Sequence, residues 1–194
     1  MVKLIKYTAV GVLSLSALIL TSCKGNAPDD TKEAAQEIND KNLEGRTAEK
    51  NAQFAVDAYS AGLLEIELSK YAKEKSADKD VKALAEEMIQ SHTKVNEELK
   101  QIADQKNVAL AQGLSEDQQD KFNKVIKKEG TDFDEAYAEK LVSDHKDAVD
   151  LFEKASEKEE DADFKNFFTK NREEIKHHLV AAQELETKIK SKKS

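Results

Sequence analysis

Three of the four histidines in this 194-residue chain stand at positions where a helical pattern would place an apolar side chain. His92, His145 and His178 each follow an apolar residue by three or four positions, a spacing that puts both residues on one helix face. Glu65 interrupts the apolar face of a fourth helix, whereas His177 lies off the apolar face of its helix. The apolar neighbours at this spacing are Met88, Leu141, Ile175 and Leu68.

Three imidazoles and one carboxylate are a familiar ligand set for Zn, Cu, Ni or Fe. Asp144 and Glu174 lie close by in sequence, and we expect them to orient the rings from a second shell. The alternative is a buried polar layer, in which the imidazoles hydrogen-bond to Glu65, to Asp144 or to water and so fix helix register. The sequence leaves both interpretations open.

Other chemistries find less support. A di-iron carboxylate site takes a Glu from each of two helices and an E-x-x-H motif from each of the other two. This chain has one such motif, Glu174 with His177, so iron oxidation of the ferritin type is disfavoured and a non-catalytic protein is expected. Nucleotide-binding and nucleophile-elbow glycine motifs are absent. A Ser–His nucleophilic site is also disfavoured, because Ser91 and His92 are sequence neighbours and do not face each other on a helix.

The elements that must position these residues are long helices. The chain has six Gly, one Pro and 36% charged residues, a composition typical of helices. Apolar periodicity predicts four of them, over residues 47–75, 78–106, 131–158 and 161–190. An S-x-x-Q capping box at Ser115 and Gln118 begins a short extra helix in the connection between the second and third. We predict an all-α, antiparallel four-helix bundle.

In this bundle the four polar positions have similar heights. Glu65 and His92 are about 12 and 15 residues from the first turn, and His145 and His178 about 15 and 18 from the second, at 1.5 Å per residue. We therefore expect their side chains to meet in one layer.

The N-terminal segment indicates export. Lys3 and Lys6 precede the apolar run AVGVLSLSALIL and then LTSC, which resembles a bacterial lipobox. Cys23 is the only cysteine, so we predict that it carries lipid; the alternative is a chance cysteine after an ordinary signal. The predicted organisation is a lipoprotein signal peptide (1–22), a flexible tether (23–46) in which residues 31–38 form at most a transient helix, and the bundle (47–194).

The net charge of −8 argues against nucleic acid as a partner. We expect a protein of the cell envelope, held by lipid at the outer membrane and facing the periplasm or the cell surface. Its protein partner is not indicated by the sequence. A scaffold module with a purely structural polar layer is the competing function.

Four stretches carry a resemblance to a known family. They are NAQFAVDAYSAGLLEIELSKYA (51–72), MIQSHTKVNEEL (88–99), FDEAYAEKLVSDHKDAVDLFE (133–153) and REEIKHHLVAAQEL (172–185). The chain resembles the bacterial domain of unknown function 4142 family, an outer-membrane family with a ferritin-like fold. The resemblance implies a ferritin-like four-helix bundle exported to the envelope, with Glu65, His92, His145 and His178 as its polar core. It implies no established activity.

Overall fold

Six helices make up the regular structure of residues 31–43 and 45–193, the part of the chain that the computed structural model describes. No strand occurs within these residues, which confirms the all-α class. Helix bounds fall within a few residues of those expected. The helices are α1 (Lys32–Asn42), α2 (Arg46–Lys75), α3 (Lys79–Gln105), α4 (Glu116–Ile126), α5 (Gly130–Lys158) and α6 (Ala162–Lys193).

Side-chain caps begin several of these helices where the sequence indicated. The Asp78 carboxylate accepts hydrogen bonds from the backbone N–H groups of Asp80 and Val81 and begins α3. Ser115 and Gln118 form the expected capping box at the start of α4, because each side chain accepts from the other residue's backbone N–H. Residues close in sequence therefore mark where these two helices begin.

Helix α1 departs from the prediction of a flexible tether. Within residues 23–46, the stretch Lys32–Asn42 is helical, Thr31 caps it, and Ala35 and Asn39 are buried. Asn39 donates from Nδ2 to the Ala109 carbonyl at 3.0 Å and accepts from the Ala109 N–H at 2.7 Å. An asparagine paired with loop backbone leaves no apolar pattern, so periodicity missed this anchor. Residues 1–30, with the predicted signal peptide and Cys23, lie outside the described residues.

The four long helices bury two separate apolar clusters. Helix α2 packs along α3, α5 packs along α6, and further contacts join α2 to α5 and α3 to α6. One cluster is rich in aromatic residues and the other is mainly aliphatic. We call them the aromatic cluster, built around Phe152, Phe164, Phe167 and Phe168, and the aliphatic cluster, built around Leu68, Met88, Leu141 and Leu185.

A polar layer separates these two clusters. On α3, Met88 belongs to the aliphatic cluster, Val95 belongs to the aromatic cluster, and His92 stands between them. On α6 the order is reversed, with His178 between Ile175 of the aromatic cluster and Ala182 of the aliphatic cluster. Among the helices of residues 31–43 and 45–193, none is both long and apolar enough to span a lipid bilayer.

Candidate metal centre

Glu65, His92, His145 and His178 meet in the layer between the two apolar clusters, one from each long helix. The three imidazole centroids lie 5.1–5.4 Å apart, and one nitrogen from each ring lies within 4.8 Å of the others. All four residues are buried, with at most 5% of any one exposed. The convergence expected from helix heights is therefore present in the structure.

The Glu65 carboxylate lies between two of the rings. Its Oε2 is 2.7 Å from Nε2 of His92, and its Oε1 is 3.2 Å from Nδ1 of His145. Burial raises the pKa of Glu65, but the charges of His145 and His92 lower it by more, so the net pKa lies below the ordinary value. The site thus contains a carboxylate anion at neutral pH.

His145 has a defined tautomer. Its Nδ1 lies 2.9 Å from the carbonyl oxygen of Leu141, one turn earlier on α5. A carbonyl oxygen can only accept, so Nδ1 carries the hydrogen and donates it. In the neutral ring the lone pair then resides on Nε2, which is buried and faces no hydrogen-bond partner in the described part of the chain. A backbone carbonyl in this position is a common way to orient a metal-binding imidazole.

His178 is the most isolated of the three rings. It is fully buried, and within residues 31–43 and 45–193 neither ring nitrogen has a hydrogen-bond partner. Burial, reinforced by His92 and His145, lowers its pKa to about 3. His178 is therefore a neutral imidazole with an available lone pair at physiological pH.

Each of the four side chains presents a buried polar atom that lacks a hydrogen-bond partner among the described residues. These atoms are Oε2 of Glu65, Nε2 of His92, Nε2 of His145, and Nδ1 and Nε2 of His178. Two of these atoms, Oε2 of Glu65 and Nε2 of His92, lie 2.7 Å apart, and this contact helps to lower the pKa of Glu65. Since an unsatisfied buried polar atom costs about 1–3 kcal/mol, such a group calls for a ligand.

A transition metal ion fits this donor set. Three nitrogens no more than 4.8 Å apart can lie within about 2.8 Å of one point, compared with 2.0–2.1 Å in a zinc–histidine bond. Ring movements of less than about 1 Å would bring the nitrogens to bonding distance. The residues therefore suit a metal in both chemistry and spacing.

The two residues expected in a second shell differ in position. Glu174 places Oε1 3.5 Å from Nε2 of His178. Asp144 instead pairs through Oδ1 with Lys140, and burial, with a smaller contribution from Glu65, raises its pKa. His177 lies outside the layer, as expected, with its exposed ring 3.6 Å from Glu87.

Sequence reasoning missed a small cavity beside the site. It measures about 20 Å³ and is lined in part by Glu65, His92 and Asn96. That space is enough for one water-sized molecule with polar neighbours. No periodic signal could have predicted it, because periodicity gives the face and height of each residue on a helix but not the gaps left between packed side chains.

Comparison with known proteins places the chain in a family. The family model described as a domain of unknown function, DUF4142, matches residues 35–185, which is well over half of the chain. Comparisons of the chain with curated proteins and with solved structures found no match. The chain therefore belongs to the DUF4142 family, as its four quoted stretches indicated, and the family description assigns it no function.

Proposed function

We propose that this chain binds a single transition metal ion through Glu65, His92, His145 and His178. The observation that carries the proposal is the set of buried donor atoms without hydrogen-bond partners, one or more from each of the four residues. The donors come from four different helices and converge between two apolar clusters. A single ion could bind one nitrogen from each of the three rings, with the Glu65 carboxylate beside two of them as the fourth ligand.

A purely structural polar layer is the competing explanation, and hydrogen bonding weighs against it. Such a layer is stable when its members satisfy one another. Among the described residues, Nδ1 of His145 donates to the Leu141 carbonyl, outside the layer, and the contacts within the layer are those of Glu65 with His92 and His145. Nε2 of His145 and both ring nitrogens of His178 have no hydrogen-bond partner in the described part of the chain. These contacts therefore leave part of the layer unsatisfied, and buried nitrogens in that state are what a metal site requires.

The donor set favours a first-row ion of intermediate softness, Zn²⁺, Cu²⁺, Ni²⁺ or Fe²⁺, over Mg²⁺ or Ca²⁺, which prefer oxygen ligands. Glu65 is the one carboxylate among the four donors, so the site lacks the bridging carboxylates of a di-iron centre. We propose a structural or ion-holding role for the metal, with four protein ligands and no catalysis.

Metal content of the purified full chain tests this proposal. After exposure to Zn²⁺, Cu²⁺, Ni²⁺ and Fe²⁺ and removal of free ion, elemental analysis should find one ion per chain for at least one metal. His92→Leu, His145→Leu and His178→Leu should each lose that ion. His177→Leu is the matched control, because it removes the one histidine outside the layer and should retain the ion.

Two results would contradict the metal proposal. One is a wild-type chain that retains none of the four ions and whose melting temperature does not respond to them. The other is equal retention by His178→Leu and His177→Leu, which would place the ion elsewhere. Either result would favour the structural polar layer of a scaffold module.

We further infer that the four long helices form an antiparallel, ferritin-like bundle. The inference is supported by the short links 76–78 and 159–161 and by the packing of α2 along α3 and of α5 along α6, which together favour a reversal of direction at each link. Site-directed spin labels can test this inference. Labels at the exposed positions Lys70 and Lys82 should lie near each other across the first link, whereas a parallel pairing would separate them.

We also propose that lipid on Cys23 anchors the protein in the cell envelope, at the outer membrane. The proposal is supported by the sequence, with Lys3 and Lys6 before an apolar run, LTSC at its end, and a single cysteine in the chain. Cys23→Ala should move the protein from the membrane fraction to the soluble fraction. Retention of Cys23→Ala in membranes would place the anchor elsewhere.

A further inference from the structure

Glu174 connects the buried layer to solvent. About half of its side chain is exposed, yet its Oε1 lies 3.5 Å from Nε2 of His178, a residue with no exposed surface. Ser91 on α3 donates a hydrogen bond to the same oxygen at 3.1 Å, which holds the carboxylate over the seam between α3 and α6. Glu174 is thus a carboxylate that is exposed to solvent and also lies against the candidate site.

The surface around Glu174 is an acidic groove. It has a volume of about 440 Å³ and is lined by Glu86, Glu87, Ser91, Lys94 and Glu174, among others. Glu86 is paired with Lys73, which leaves Glu87 and Glu174 beside one lysine, and His177 adds an exposed imidazole 3.6 Å from Glu87. Carboxylates and an imidazole at a groove of this charge attract a hydrated divalent cation.

An ion that reaches the buried layer from solvent must pass between two of the long helices. We propose that it passes through this groove, with Glu174 as the carboxylate that takes the ion from water and delivers it to His178. The inference rests on the proposed metal-binding function and adds to it a route and a residue. His178 fits the receiving role, because it is fully buried, lies 3.5 Å from Glu174 and has no hydrogen-bond partner at Nε2 among the described residues.

The opposite seam offers a poorer route. The small cavity beside Glu65 and His92 shares three wall residues, Ala61, Ala148 and Leu151, with a larger surface cavity of about 330 Å³. The carboxylates of the larger cavity are mostly paired with lysines, Asp57 with Lys32, Asp117 with Lys121 and Asp144 with Lys140. The walls that the two cavities share are apolar, so a divalent cation crossing them would lose its water without gaining a protein donor, which is costly. The α3–α6 seam avoids this cost through Glu174.

Metal exchange kinetics test the route. Stopped-flow mixing of the full chain with Zn²⁺ and with Cu²⁺, followed by a chromogenic chelator, gives association and dissociation rates as well as the equilibrium constant. Glu174→Gln keeps the side-chain length and removes the charge. We expect it to slow association and dissociation together by at least about tenfold. Because Kd is the ratio of the two rates, it should stay within about threefold.

Two control variants are matched to this design. Glu173→Gln removes a neighbouring exposed carboxylate of the same helix, one that pairs with Arg172, and should leave the rates unchanged. Ala148→Leu narrows the opposite seam and should also leave them unchanged.

The outcomes separate this inference from the proposed function. Wild-type rates in Glu174→Gln, or slow exchange in Ala148→Leu, would overturn the route while leaving the metal site in place. A weaker Kd in Glu174→Gln with unchanged association would overturn it as well, because Glu174 would then only orient His178. A wild-type chain that binds neither ion would overturn the metal-binding function itself, and the route with it.

Discussion

Replacing His178 with leucine should stabilise the metal-free protein and abolish its response to metal. Leucine has a similar volume and belongs among the apolar residues above and below this position. The substitution removes two buried ring nitrogens that have no hydrogen-bond partner in the described part of the chain. Leucine can replace the apolar contacts that the histidine ring makes, so the substitution costs little packing energy.

The magnitude follows from the cost of unsatisfied buried groups. At the low end of the range, about 1 kcal/mol per atom, two nitrogens give a gain of about 2 kcal/mol in the free energy of unfolding. For a chain of this size that gain raises the melting temperature by about 4–8 °C. Bound metal should reverse this order of stability, because it stabilises only the wild type. At a free concentration of about a thousand times Kd, it should stabilise the wild type by about 4 kcal/mol and the variant not at all.

Thermal and urea unfolding with a chelator and with saturating Zn²⁺ measure both effects. The expected result is a crossing, in which His178→Leu is the more stable protein without metal and the less stable one with it. His177→Leu, at an exposed ring, should change stability by no more than about 0.5 kcal/mol in either condition. A metal-free His178→Leu that is less stable than the wild type by 2 kcal/mol or more would refute the reasoning, because the ring would then have partners in solution.

Three further predictions concern other parts of the fold. Burial, with help from Asp161, raises the pKa of Glu159 from 4.5 to about 7, so the free energy of unfolding should fall as pH rises between these values. In urea unfolding, Glu159→Gln should therefore be more stable than the wild type by about 2 kcal/mol at pH 8 and equally stable at pH 4. Asn39→Ala removes both hydrogen bonds to Ala109 and should speed hydrogen exchange across residues 32–42 without changing metal content. Gly62→Ala should cost about 1–2 kcal/mol, because its Cβ would collide with Oδ1 of Asn96, and Asn96→Ala in the same chain should recover part of that loss in a double-mutant cycle.

The polar layer could be predicted from sequence because helices are regular. A fixed rise and a fixed angle per residue convert sequence position into height and direction, so four polar interruptions of four apolar stripes had to meet at similar levels. The details that decide the chemistry were beyond that reasoning. The Leu141 carbonyl that sets the tautomer of His145 is a backbone atom, and the carboxylate oxygens of Glu65 turn toward two rings only when the backbones are packed.

Helix α1 shows where pattern reasoning fails. Its buried positions are one alanine and one asparagine, which present almost no apolar stripe. The burial of Asn39 depends on the backbone of Ala109, seventy residues later, and this pairing has no counterpart in local sequence. Asp144 illustrates the same limit. It has Lys140 one turn away and His145 next to it in sequence, and the sequence does not show that Lys140 is its partner.

The division of the core in two gives the proposed metal ion a mechanical role. Apolar packing is continuous within the aromatic cluster and within the aliphatic cluster. In the described part of the chain, the polar contacts of the layer between them are the bond from His145 to the Leu141 carbonyl, the close contacts of Glu65 and the contact of His178 with Glu174. An ion held by one residue from each long helix would tie all four helices at that level. Metal binding would then stabilise the two halves of the core against moving apart. Hydrogen exchange near the layer should slow most when the ion binds, more than at the helix ends, and uniform protection along the helices would show that the ion does not act at this level.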